Sequence, residues 1–250
     1  MQTLQNQRAL VTGGSTGLGL GIVEALVDAK AEVVVVARDA QRLAEVERRL
    51  GVTTAVADIT DAGLADSLLR EFLPAVLVLN AGATPAMAPL HEQTWEGFSN
   101  TWNTDVKGAF HWLQAALRLP LPRGSRVMIG SSGAAVNGSP MSGGYAGAKR
   151  MLWFMAHYAN AVSAEQNLGI QFQALVPRQM LAAGGVGRAG ADAYSRRKGI
   201  SAQQFLANFG TPMTAREVGD HVVAILTDPQ YESAPALAIK GEFGIRTIEA

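Results

Sequence analysis

The chain contains no cysteine. That removes disulfides, thiolate metal sites and cysteine nucleophiles, and it fits the cytoplasmic setting expected here. An excess of either charge is also missing. The 21 Lys and Arg balance 21 Asp and Glu over 250 residues, so no net field draws in nucleic acid or an anionic membrane surface. Neither is expected as a partner. The one run of like charge that stands out is the short triplet Arg196, Arg197, Lys198. No apolar run approaches the ~18 residues of a membrane helix. The four histidines, His91, His111, His157 and His221, lack metal-ligand spacing. Each reads as structural or solvated, and no metal is expected. With the first strand expected near Arg8, no room is left for a secretory leader. Internal repeats, linkers and low-complexity tracts are absent as well.

What is present is a hydrophobic fraction of 48% in 250 residues, enough for one α/β domain spanning 1–250 with a sizeable core. Arg8–Val11 reads as a strand. It runs into Thr12, Gly13, Gly14, Ser15, Thr16, Gly17, Leu18, Gly19, and then into a helix marked by Leu18, Ile22, Leu26 and Ala29. Glycines allow a tight turn and close backbone approach. Free N–H groups at a helix start favour a pyrophosphate. A plain tight turn is the blander reading, and the strand, turn and helix together favour nucleotide binding over it.

Glu32–Ala37 holds four consecutive valines, as a strand buried on both faces should. Arg38 follows directly. Further strands are expected at Thr53–Ala57, ending at Asp58 and Ile59; at Ala75–Leu79, closed by Asn80, Ala81 and Gly82; and around Val127–Ile129, Ile170–Val176 and Leu237–Ile239. Helices are expected between them, one long helix over about 94–119 with Phe98, Trp102, Val106, Phe110, Leu113 and Leu117 on one face. Another covers about 144–166, where Met151 to Met155 are apolar nearly all round. This alternation predicts a Rossmann-type doubly wound parallel sheet of about seven strands with helices on both faces, with ligands at the carboxyl ends of the strands. Residues about 178–212, rich in glycine and alanine at the start, read as a lid over the site or as a solvated surface loop.

The stretch Gly130–Lys149 holds Ser132, Tyr145 and Lys149. Tyrosine and lysine four apart share one face of a helix. A free phenol has a pKa near ~10, and a neighbouring ammonium can lower that by roughly 1–3 units. Ser132, after the apolar run Val127–Ile129, can meet the start of that helix, so a serine and a tyrosine could hold one carbonyl oxygen. The Tyr-x-x-x-Lys pair alone is common on ordinary helices and carries weight only in this company.

Taken together, Thr-Gly-x-x-x-Gly-x-Gly at 12–19, Asn80-Ala81-Gly82, Ser132 and Tyr145-x-x-x-Lys149, in that order and spacing, make the chain resemble the short-chain dehydrogenase/reductase family over essentially its full length. The resemblance implies that Tyr145 exchanges a proton with the substrate oxygen, that Lys149 lowers the tyrosine pKa and holds the nicotinamide ribose, and that Ser132 positions the carbonyl. It also implies adenine contacts at Asp58 and Ile59, a cofactor floor at Asn80, Ala81 and Gly82, and a further contact at Pro177. Three positions depart from the family. Asp105 aligns with its asparagine, Arg178 follows Pro177 where glycine is usual, and Ala182 sits where a threonine is expected.

Arg38 at the end of the second strand suits the 2′-phosphate of NADP(H), which an acidic residue there would repel; adjacent Asp39 should point away. The expected activity is an NADP(H)-dependent carbonyl reductase or alcohol dehydrogenase acting on a small-molecule carbonyl or alcohol. It is expected as a homo-oligomer, a tetramer or dimer, and Asp105 joins Ser132, Tyr145 and Lys149 as a candidate catalytic residue. The alternatives are a catalytically silent NADP(H)-binding regulator on the same fold, and a sugar epimerase, for which the carboxyl-terminal region is short. Met87, Met141, Met180 and Phe205 are candidates for the substrate wall.

Overall fold

The computed structural model describes residues 3–179, 184–241 and 244–249. In chain order the strands are β1 Arg8–Thr12, β2 Glu32–Ala37, β3 Thr53–Val56, β4 Val76–Leu79, β5 Arg126–Gly130, β6 Gln171–Pro177, β7 Ala236–Lys240 and β8 Gly244–Thr247. They form one sheet in the order β3-β2-β1-β4-β5-β6-β7-β8. β8 pairs antiparallel with β7, and the rest are parallel. The expected fold class is the one observed, with a short eighth strand added at the edge.

The valine run of β2 shows why a parallel sheet wants continuous apolar sequence. Alternate residues point to opposite faces, so Val34 and Val36 enter one core while Val33 and Val35 enter the other. The first core gathers Leu68, Trp112 and Trp153, the second Ile22, Leu43 and Val222.

The helices supplying those side chains are α1 Gly17–Asp28, α2 Ala40–Leu50, α3 Ala62–Phe72, α4 Trp95–Thr101, α5 Lys107–Arg118, α6 Ala134–Asn137, α7 Tyr145–Glu165, α8 Gly185–Lys198, α9 Ala202–Ala207 and α10 Ala215–Thr227. Asp39 and Asp61 cap α2 and α3 by accepting from the backbone N–H groups of Gln41 and Arg42, and of Gly63 and Leu64. α1 and α10 cross so closely that a Cβ on Gly21 would overlap the Ala215 carbonyl, and one on Gly219 the Gly21 carbonyl.

The long helix expected over 94–119 is interrupted. One π-helical turn, Trp102–Val106, joins α4 to α5. Its wider turn rotates everything after it, so the expected stripe from Phe98 to Leu117 is not one face. Trp102 and Phe110 are exposed, whereas Asp105, Ala109, Trp112 and Leu113 are buried. In α7, Leu152, Trp153 and Met155 are buried, while Phe154 is half-buried and stacks on exposed Tyr158. That helix is therefore covered on one side and open on the other. The stretch read as lid or loop is mostly helical, as α8 and α9. Among the described residues no helix is long and apolar enough to cross a membrane.

Candidate active site

Beyond the carboxyl ends of β1, β2, β4, β5 and β6 lies a cleft of about 890 Å³. The sheet dictates its place. β1 pairs with both β2 and β4, so the chain winds outward in both directions from there, and the crevice opens where the winding reverses.

Gly13 and Gly17 line the cleft at φ 68 and 55, a region glycine enters without strain. A Cβ on Gly13 would sit 2.8 Å from the Ala81 Cα. Beneath them Thr12 ties two strand ends together. Its Oγ1 donates to the Val78 carbonyl at 3.3 Å and accepts from the N–H groups of Asn80 and Ala81 at 3.1 and 3.2 Å. Unlike α2 and α3, α1 has no capping side chain, and its first turn holds no acidic residue. Its leading N–H groups therefore keep their positive end for an anion. Ser15, Thr16 and Leu18 line the same cleft, but Gly19 does not. Gly19 is small for a packing reason, since a Cβ there would overlap the Gly13 carbonyl and crowd the Asn80 side chain. It shapes the turn from behind.

At the β2 end, Arg38 is exposed and lines the cleft beside Asp39 and Arg42. Asp39 is on the cleft wall too, but its carboxylate is occupied by the α2 cap and by Arg42 Nε at 3.2 Å. Asp58 and Ile59 follow at the end of β3. Thr60 donates to Asp58 through its N–H and its hydroxyl at 2.9 and 2.8 Å. These bonds hold the Asp58 carboxyl below its ordinary pKa, with Arg38 and Lys107 adding smaller pulls in the same direction.

Ser132, Tyr145, Lys149 and Asp105 all line the middle of the cleft, with Asn80, Ala81, Gly82 and Pro177 around them. Ser132 Oγ accepts from the Ala134 N–H at 3.2 Å, which leaves its proton free to donate. Among the described residues the Tyr145 hydroxyl has no hydrogen-bond partner. The start of α7, which carries Tyr145, is pinned by Trp102 Nε1 donating to the Gly144 carbonyl at 3.0 Å. Lys149 Nζ lies 5.6 Å from the Tyr145 ring centroid and donates to the Gly130 carbonyl at 3.1 Å. Ser131 Oγ donates to the Lys149 carbonyl at 2.8 Å, fixing α7 to the end of β5.

Asp105 does not point to solvent. The π-helical turn drives it inward. Its Oδ2 is 3.0 Å from Lys149 Nζ, and its Oδ1 accepts from the Ala83 N–H at 2.7 Å. A Cβ on Gly82 would fall 2.6 Å from that Oδ2, so the glycine makes room for the carboxylate. Burial acts most strongly on Lys149 and lowers its pKa. Asp105, with Tyr145 second, outweighs it, and the lysine is held above its ordinary value.

At the outer end Met87 and Phe205 line the cleft as expected, joined by Tyr194, Phe209, Arg178 and Lys198. Met141 does not line it. Met141 is buried behind the wall, where Arg197 Nη1 meets its sulfur at 3.3 Å. Met180 and Ala182 lie outside the described residues. Tyr194 and Lys198 escape a reading of sequence because α8 is glycine- and alanine-rich with no strong apolar stripe. The nearest signal was the cationic triplet at 196–198.

A family model described as short chain dehydrogenase matches residues 7–195. A galactitol 2-dehydrogenase from Rhizobium johnstonii is 34% identical over 149 residues, 55% of this chain and 58% of that protein. A tropinone reductase homolog from Arabidopsis thaliana is 36% identical over 165 residues, 60% of each chain. The chain thus matches little more than half the length of these relatives. Among solved structures, an NAD+-bound xylitol dehydrogenase superposes with a TM-score of 0.83 at 23% identity, covering 96% of this chain and 100% of the other. The L-sorbose reductase of Gluconobacter frateurii, complexed with NADPH and L-sorbose, superposes at 0.78 with 18% identity, covering 96% and 97%.

Proposed function

The chain belongs to the short chain dehydrogenase family, and from that membership we propose that it is an NADP(H)-dependent oxidoreductase interconverting a carbonyl and an alcohol, as a carbonyl reductase or alcohol dehydrogenase. The observation that carries this is the meeting of Ser132, Tyr145 and Lys149 in one cleft with the uncapped start of α1.

The residues present fit a dinucleotide. The positive-φ glycines and the free N–H groups at 13–18 suit a pyrophosphate. Arg38, with no acidic residue in its place, suits a 2′-phosphate. Asp58 and Ile59 would flank the adenine, and Asn80, Ala81, Gly82, Lys149 and Pro177 the nicotinamide half. When bound, the nicotinamide supplies the hydride in reduction and takes it up in oxidation. In reduction, Ser132 donates to the carbonyl oxygen and Tyr145 gives that oxygen its phenolic proton. In oxidation, Tyr145 takes the proton back. Lys149 stabilises the phenolate between the two, and Asp105 holds the ammonium in place.

The stretch about 178–212 would close over the substrate as a lid. The active form is a homo-oligomer, a tetramer by resemblance, working in the cytoplasm. A silent NADP(H)-binding regulator would need no open tyrosine hydroxyl beside a buried lysine, and no observation favours it.

The test is NADPH oxidation with a panel of ketones and aldehydes, using wild type and Tyr145→Phe. General acid catalysis contributes about 10²–10⁴-fold. Tyr145→Phe should lose at least that much turnover and still bind NADPH, and near-normal activity in the purified variant would end the assignment.

A further inference from the structure

The outer end of the cleft says what kind of carbonyl compound it takes, and this step rests on the carbonyl–alcohol reading above. One wall is apolar and aromatic. Tyr194 and Phe205 stack with ring centroids 5.5 Å apart and planes 2° from parallel, and Phe209 leans on Phe205 at 5.0 Å. Met87 completes that wall beneath α8.

The polar groups beside it are largely committed within the protein. The Tyr194 hydroxyl pairs with Ser139 Oγ at 3.1 Å and accepts from the Met141 N–H at 3.3 Å. Ser142 Oγ donates to the Ser139 carbonyl at 3.0 Å. Gln179 donates to the Thr211 carbonyl and accepts from the Gly241 N–H. A polyol needs a donor or acceptor for nearly every carbon, and a buried hydroxyl left unpaired is costly. This wall has few to offer.

Charge is what it does offer. The carboxylates lining the cleft are Asp39, Asp58 and Asp105. Asp39 is held by α2 and Arg42, Asp58 by Thr60 and Asp105 by Lys149. Arg178 and Lys198 line the cleft with no ion pair among the described residues. Lys198 Nζ instead stands 5.5 Å over the Phe205 ring. It places a positive charge beside the aromatic wall.

We propose that the substrate is a carbonyl compound with an aromatic or apolar body and a carboxylate, the body lying on Tyr194, Phe205 and Met87 and the carboxylate paired with Lys198 and Arg178. A cationic amino-ketone would meet two like charges there, and a ketose would leave most of its hydroxyls unpaired.

The experiment compares 4-acetylbenzoate, methyl 4-acetylbenzoate and L-sorbose as substrates of the NADPH-loaded protein, with Lys198→Ala, Lys198→Arg and Arg178→Ala alongside. A partly exposed charge contact predicts a preference for the acid over its ester of about 5- to 10-fold in kcat/KM. Lys198→Ala should erase that ratio and Lys198→Arg restore it. An ester or ketose used as well as the acid, or a ratio untouched by Lys198→Ala, overturns the proposal while leaving carbonyl reduction standing. Arg178→Ala that weakens NADPH binding without changing the ratio would assign Arg178 to the cofactor and overturn its part. If none of the three is reduced, the activity itself is refuted for this class. Binding to the NADP+-loaded protein, followed by tryptophan fluorescence, then decides the site: tighter binding of acid than ester upholds it, and equal binding overturns it.

Discussion

The ammonium of Lys149 lies 3.0 Å from a carboxylate oxygen of Asp105, and the two residues are only 8% and 2% exposed. The pair is close to neutral as a unit. The field that Lys149 exerts on the Tyr145 hydroxyl is therefore partly cancelled, which a neutral asparagine at 105 would not do.

Asp105→Asn should accordingly stay folded and active, because the asparagine oxygen can still accept from the Ala83 N–H. It should also move the pH profile in a defined direction. Without the carboxylate less of the Lys149 field at the Tyr145 hydroxyl is cancelled, so kcat/KM for alcohol oxidation should hold to lower pH. Burial, the strongest influence on Lys149, would then act with less opposition, so the lysine loses its proton at lower pH and the alkaline limb moves down too. Profiles measured with one substrate decide it, and superimposable curves or an upward shift would show that the charge of Asp105 does not act on this site.

Arg38→Ala tests the cofactor. A charge-assisted contact to a phosphate contributes about 1.5–3 kcal/mol, so the variant should bind NADPH some 10- to 100-fold more weakly and NADH almost as before. Tighter binding of NADH than NADPH by the unmodified protein would refute the choice of NADP(H). A retained preference in Arg38→Ala would move the 2′-phosphate contact to Arg42.

How far these sites could be read from sequence follows from how local their causes are. The strand ends carrying Arg38, Asp58, Asn80 and Ser132 could be located because apolar runs stop abruptly at polar clusters. The inward turn of Asp105 could be read only as one of two alternatives, a carboxylate near Lys149 or one turned to solvent. The apolar spacing around Trp102–Val106 reads as ordinary helix, and the groups that meet the carboxylate, Gly82, Ala83 and Lys149, lie on elements far away in the chain. β8 was invisible for a different reason. With Ile245 as its one large apolar side chain, it has almost no pattern of its own and forms by pairing with β7. Gly19 belonged to the right motif but has a packing role rather than a ligand-facing one, a distinction that spacing cannot make.

The open sides of α4, α5 and α7 test the assembly. Trp95 is 78% exposed, Phe110 46% and Tyr158 59%, more aromatic surface than isolated exposed residues account for. Sedimentation at working concentration should show a dimer or tetramer, and Phe110→Asp or Tyr158→Asp should shift it towards monomer. A wild-type protein that sediments only as monomer would contradict the expected homo-oligomer.

Stability also depends on the joint behind the glycine-rich turn. α10 begins with a reciprocal cap. Thr214 Oγ1 accepts from the Glu217 N–H at 3.1 Å, and Glu217 Oε2 accepts from the Thr214 N–H and hydroxyl at 2.6 and 2.8 Å. The next residue, Ala215, is the one whose carbonyl packs against Gly21 of α1. The bonds from Thr214 hold the Glu217 carboxyl below its ordinary value. A depressed carboxylate pKa stabilises the folded state above the unfolded pKa, for which 4.5 is the reference value, and that contribution is lost as pH falls through the lower folded value. Glu217 is at the surface, so solvent screens the effect to a modest size. A capped helix start of this kind is worth on the order of 0.5 kcal/mol, about 1–2 °C in Tm for a chain this long. Glu217→Ala should therefore melt lower than wild type at pH 7, and the gap should narrow as the pH is taken down from 4.5 through the lower folded value. A gap in Tm that stays constant across that range would mean that lost helix packing, and not the ionised cap, sets the contribution of Glu217.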